Sequence, residues 1–137
     1  MDALQAEKAV TSFLENAISG NTEVSQEIVD QVGKDVATAF VKQFSSGARD
    51  DFRLRMSNLG KPKCQLWYEK NKPEVALPLP TTFIMNMMIG DIVEAVFKGL
   101  LKEAGVKYED SDNVTLDMDS TSINGTYDIV IDGAVDD

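Results

Sequence analysis

Between Pro80 and Gly105 the chain carries apolar residues on nearly every side of one helical stretch, among them Phe83, Met85, Met88, Ile92, Val96, Phe97 and Leu101. A surface helix keeps a polar face, so a helix that is apolar all round is expected to be buried. In 137 residues, a buried helix of this length has to be the spine on which the rest is arranged. Thr81 or Thr82 opens it, and Gly105 suits the left-handed position that follows a helix. Its middle holds Glu94, with Gly90 at i−4 and Phe97 at i+3. Gly90 costs about 1 kcal/mol of helix propensity relative to alanine, and it leaves a gap beside Glu94. An ionised carboxylate there requires a partner or a metal. Lys98 at i+4, on a narrow polar stripe with Asp91, is one such partner; a divalent cation is the other.

The flanking segments divide the chain. A first helix is expected over 3–18, with Ala6, Val10, Phe13, Leu14 and Ala17 on one face, and a second over 25–45, where Val32, Val36, Phe40 and Phe44 continue a stripe. Residues 1–50 thus form a helical N-terminal segment, an acidic, amphipathic pair suited to docking on the rest or on a partner. From 51 to 137 the texture changes. Ser57-Asn58-Leu59-Gly60-Lys61-Pro62 reads as a turn into a short helix from Lys63 to Lys70, and Pro73, Pro78 and Pro80 stiffen a connector. After the long helix come strand-like segments, Val106–Glu109, Val114–Met118 and Gly125–Ile131, and a last one starting at Ala134. Helices followed by antiparallel strands imply an α+β fold, or the first part of a larger α/β domain.

Composition removes several chemistries. There is no histidine and only one cysteine, Cys64. Ser-His and Cys-His catalysis, the usual zinc sites and a disulfide framework are therefore excluded. Carboxylates, lysine, tyrosine and water must supply any acid–base or metal chemistry. A lone thiol fits a reducing cytoplasm. The N-terminus lacks the basic and apolar regions of a signal peptide, and no apolar run reaches the ~18 residues of a membrane span. The net charge of −10 opposes general affinity for nucleic acid. Residues 49–72 nevertheless hold seven basic residues against three acidic ones. That is either a local phosphate-binding surface or a solvated face.

The last ten residues are the most specific. Asp132-Gly133 between two apolar runs signals a two-residue type I′ hairpin. That turn sets Ile131 opposite Ala134, Val130 opposite Val135, Ile129 opposite Asp136 and Asp128 opposite Asp137. Opposed residues share one face, with Cβ atoms roughly 5 Å apart. Two facing carboxylates repel unless a cation is shared, and Mg²⁺ takes oxygen ligands while keeping several waters. The alternative is an acidic terminus in which the opposition is accidental.

Three features then stand in order: Gly90-Asp91-Ile92-Val93-Glu94 on a helix, Gly125-Thr126-Tyr127-Asp128 on a strand, and Asp137 on the next strand. This set resembles the PD-(D/E)XK nuclease superfamily, with RecB-like and phage-type exonucleases the nearest in character. The block Arg55-Met56-Ser57-Asn58-Leu59-Gly60-Lys61-Pro62-Lys63-Cys64-Gln65-Leu66-Trp67-Tyr68 is similar to the opening segment of those proteins. The likeness covers roughly residues 53–137 and implies that this part belongs to an α/β restriction-endonuclease-like core. It implies catalytic and metal-binding roles for Glu94, Asp128 and Asp137, with Mg²⁺ or Mn²⁺ as cofactor and DNA as partner of the complete protein. The same likeness implies backbone contacts by Arg55, Ser57, Lys61 and Lys63. The family's lysine would fall two residues after Asp137, so the chain is expected to be a truncated and inactive nuclease domain. An incomplete sheet would also leave an edge at 134–137 for self-association.

Other signals count for less. Asp110-Ser111-Asp112-Asn113 lacks the later positions of a calcium loop. Cys64 stands where some relatives place an iron–sulfur ligand, but three further cysteines would be needed. Met85, Met87 and Met88 suit core, and Trp67 and Tyr68 suit core more than base stacking. Competing with a metal-dependent nuclease are a non-catalytic assembly domain on the same scaffold and a small acidic interaction protein.

Overall fold

The computed structural model describes residues 1–45, 52–131 and 134–136. The fold is α+β. Helices α1 (Ala3–Ile18), α2 (Gln26–Ser45), α3 (Lys63–Asn71) and α4 (Thr81–Glu103) precede strands β1 (Glu109–Met118), β2 (Thr121–Ile131) and β3 (Ala134–Asp136). The strands form an antiparallel sheet in the order β1-β2-β3. Single 3-10 turns lie at Met56–Asn58 and Pro73–Val75. Among the described residues no helix is long and apolar enough to cross a membrane.

Local chemistry fixes the helix ends. At the start of α1, the Gln5 N–H donates to the Asp2 carboxylate at 2.8 Å and the Asp2 N–H donates to Gln5 Oε1 at 3.0 Å. This capping box satisfies two of the helix's orphan donors. At the end of α4, Gly105 takes a φ of 74°. The Val106 N–H then reaches the Leu101 carbonyl at 2.9 Å and the Gly105 N–H reaches that of Lys102 at 3.0 Å. Both bonds belong to the Schellman ending, whose usual hydrophobic contact is supplied by Leu101 and Val106.

That contact seeds the core. Leu101 and Val106 cluster with Ala6 of α1 and with Ile129 and Ile131 of β2, flanked by Ala9, Val10, Ala104 and Tyr108. Helix α2 runs antiparallel along α4. The Ser25 N–H donates to Glu103 at 2.7 Å at one end, and Gln43 donates to Asp91 at 2.8 Å at the other. Between them Ala39 of α2 and Met88, Ala95 and Gly99 of α4 are buried. At Gly99 an added Cβ would stand 2.5 Å from Val32 Cγ2, so a side chain there would force Val32 to shift. The N-terminal helices thus pack on α4 and the sheet.

One expectation is corrected here. Helix α4 is not buried all round: Val93 is 60% and Ile89 53% exposed, and Met85, Val96 and Phe97 are also open. Helix α2 covers one side, while α1 and β2 cover only the C-terminal end. The third face has no cover among the described residues.

The sheet also differs in extent. β1 is continuous through Asp110-Ser111-Asp112-Asn113, residues that disfavour strands, because nine of its ten positions, all but Ser111, pair with β2. Val106–Tyr108 is the link out of the helix cap. A two-residue turn at Asp119-Ser120 joins β1 to β2, with Asp119 at φ 45°. The β2–β3 pairing is Ile131 with Ala134, Val130 with Val135 and Ile129 with Asp136, the register expected for a two-residue turn. Residues 132 and 133, and Asp137, lie outside the described residues.

Candidate metal and nucleic-acid site

Strand β2 has two edges, and their occupants define the site. β1 pairs with β2 from Thr121 to Val130 and so takes one edge over nearly its full length. The other edge receives two attachments. β3 pairs with residues 129–131. Five residues earlier, Arg55 forms a parallel bridge with Asn124, and the Asn124 N–H donates to the Leu54 carbonyl at 3.2 Å. Asp128 lies between them, four residues from Asn124, or about 13 Å along the strand.

The residues around Arg55 explain why it docks there. Gly125 has no side chain, and an added Cβ would stand 2.5 Å from Met56 Sδ. The first residue of Gly125-Thr126-Tyr127-Asp128 therefore admits Met56 against the sheet. Asn58, buried at 7% exposure, donates its side chain to the Arg53 carbonyl at 3.3 Å and its N–H to the Arg55 carbonyl at 2.9 Å. These bonds hold the turn that presents the basic segment.

Of the expected phosphate contacts, Arg55, Ser57 and Lys63 are exposed. Lys61 is half-buried and bound to Glu69 at 3.0 Å, with Gln65 on the same carboxylate at 3.2 Å. Its charge is largely answered within the chain. Trp67 and Tyr68 are not core, correcting that expectation: both are about half exposed on α3.

The acids are distributed less simply. Ile123, Ile129 and Ile131 are buried on one face of β2, and the alternation of the strand puts exposed Asp128 on the opposite face. Asp110 pairs opposite Ile129 and shares the inner face, towards α4. There Lys98 Nζ lies 2.5 Å from both Glu94 Oε1 and Asp110 Oδ1. The structure therefore joins Glu94 to Lys98 and Asp110 and leaves Asp128 across the sheet from them. Asp137 lies outside the described residues. Among the described residues no three His, Cys, Asp or Glu side chains converge on a common metal position. By donor chemistry Asp128 suits a divalent cation, being an exposed carboxylate, whereas Glu94 already serves an ammonium.

The Lys98 side chain is only 12% exposed. Burial disfavours its charge, but the hydrogen bonds to Asp110 and Glu94 outweigh it and hold the ammonium above its ordinary pKa. The Lys98 hydrogen bond holds the Asp110 carboxyl below its own, with the Ser111 N–H adding to the effect against burial. The three groups floor a cleft of about 260 Å³ between α2, α4 and β1, which Asp35, Lys42 and Asp91 also line. Asp35 accepts from Gln31 at 2.9 Å, and Asp91 from Gln43 and Lys42. Each carboxylate in the cleft has a partner, so the cleft ties three elements together. The i+4 spacing of Glu94 and Lys98 was visible in the sequence. Asp110 was not, because its role depends on β1 beginning at residue 109. No family model, curated protein or solved structure significantly matches the chain.

Proposed function

We propose that this chain carries the metal-binding strand and the phosphate-facing segment of a PD-(D/E)XK-type deoxyribonuclease. One observation carries the reading. The strand bearing Asp128 also anchors, on the same edge, both the next strand and the basic segment at Arg55. Phosphodiester hydrolysis needs a divalent cation close to cationic contacts for the flanking phosphates, and β2 bears the acid while its second edge anchors the basic segment. Mg²⁺ or Mn²⁺ held at Asp128, with Asp137 as the second acid of the resemblance, would polarise the phosphate and lower the pKa of bound water. Arg55, Ser57 and Lys63 position the DNA backbone. Glu94 acts at one remove, by holding Lys98 and so the α4–β1 contact behind the sheet. DNA in a reducing cytoplasm is the setting that fits this reading.

Titration calorimetry of Mn²⁺ into wild type, Asp128→Ala and Glu94→Gln tests the metal site. Binding lost in Asp128→Ala and kept in Glu94→Gln is expected. Equal binding by wild type and Asp128→Ala would overturn it. A second reading, a non-catalytic assembly module, draws on the open apolar face of α4. Mn²⁺ binding without any binding of linear duplex DNA would favour that module. Self-association through the β3 edge goes with either reading, and a monomer in sedimentation would count against it.

A further inference from the structure

Helix α3 carries a feature that phosphate contacts alone do not use. Lys63, Trp67 and Lys70 stand at i, i+4 and i+7 and so form one stripe along it. Tyr68 lies beside Trp67, the two ring planes nearly perpendicular at 87° with centroids 5.1 Å apart. Each ring orients the other, yet Trp67 is 53% and Tyr68 52% exposed. Lys63 and Lys70 are exposed too, and Lys72 follows at the end of the helix. From residue 53 to 72 the chain has six basic residues against one acid, within a protein of net charge −10. Burying two large aromatic rings is worth several kcal/mol, and this helix instead presents them among lysines.

We infer that α3 is a stacking platform for unpaired nucleotides. Trp67 takes a base on its exposed face, Tyr68 fixes the ring, and Lys63 and Lys70 hold the phosphates to either side. Stacking needs an accessible π-face and nearby cations, and both are present. A duplex hides its base faces, so the ligand is a single-stranded segment, such as a frayed or recessed end. In naming a nucleic acid rather than another polyanion, the inference rests on the nuclease reading above.

Trp67 is the sole tryptophan, so its fluorescence reports the contact directly. The full chain is titrated with oligothymidylate at low salt in the presence of EDTA, which separates this test from the metal site. Quenching of Trp67 emission is expected. By anisotropy of labelled oligothymidylate, Trp67→Ala should lower affinity about 5- to 140-fold, and Trp67→Phe should recover most of it. Lys63→Ala should reduce the slope of log affinity against log salt by about 0.7. The inference is overturned if Trp67→Ala binds like wild type, if duplex of the same length binds as tightly, or if polyglutamate of equal charge competes equally. Because Trp67 lies on the surface, circular dichroism should show Trp67→Ala folded. Mn²⁺ binding at Asp128 can survive any of these failures, so the two readings fail separately.

Discussion

Two glycines on α4 should answer the same substitution differently, one by a gain in stability and the other by none or a loss. Alanine in place of either gains about 1 kcal/mol of helix propensity. At Gly90 an added Cβ meets nothing within 4 Å, so Gly90→Ala should stabilise by about that amount. At Gly99 the new Cβ would lie 2.5 Å from Val32 Cγ2. Val32 is β-branched on a helix and has one strongly favoured rotamer, so its methyl cannot swing aside cheaply. Overpacking of this kind costs about 1–3 kcal/mol. Net of the propensity gain, Gly99→Ala should lie between neutral and about 2 kcal/mol destabilising. The propensity term cancels between the two variants, so their difference of about 1–3 kcal/mol isolates the α2–α4 contact. Urea unfolding followed by circular dichroism gives both values, with the denaturant slope checked for constancy. Val32→Ala added to Gly99→Ala should recover most of the loss, with a coupling of about 0.5–3 kcal/mol. Equal effects of the two glycine substitutions, or additivity with Val32→Ala, would refute the close approach of these helices.

The remaining expectations are shorter. Leu101→Ala removes the best-buried large side chain among the described residues, at 1% exposure, and should cost about 2–5 kcal/mol in the same unfolding assay. A loss below about 1 kcal/mol would mean that the α1–α4–β2 cluster is not the core. The Lys98 bridge should make stability depend on pH at both extremes. Asp110 has a lowered folded pKa, so its contribution is complete above about 3.9 and disappears as pH falls through the folded value. Lys98 has a raised one, so its contribution is complete below about 10.4 and disappears as pH rises through the folded value. Asp110→Asn should flatten the acid limb of urea midpoint against pH, and unchanged acid limbs would refute the bridge.

Helical periodicity carried the fold furthest. The first helix, the second and the long α4 lie where apolar spacing and Gly105 put them, because those signals are local. The hairpin phase at Ile129–Asp136 was readable for the same reason: two turn residues set it. Burial of α4 was misread because apolarity states what a face requires, not what the chain provides to cover it. β1 was undercounted because aspartate and asparagine weaken a strand signal that only pairing with β2 overrides. Trp67 and Tyr68 suit core by the general commonness of buried aromatics, whereas α3 leaves both about half exposed. At the site, Glu94–Lys98 followed from spacing along one helix. Asp110, the bridge's third member, comes from another element and had no sequence signal.

The two attachments on the second edge of β2 differ in kind. β3 is joined by three paired positions, while the Arg55 segment is joined by one bridge and a methionine laid over Gly125. Opening the second costs few hydrogen bonds and leaves the β1–β2 pairing whole. Amide exchange should then find the Asn124 N–H far less protected than the β1-facing amides of the same strand. In mechanical terms the acid is set in a stiff beam and the cationic grip hangs from it on a compliant joint. On the proposed reading, that joint would let the basic segment follow backbones of different curvature without moving Asp128.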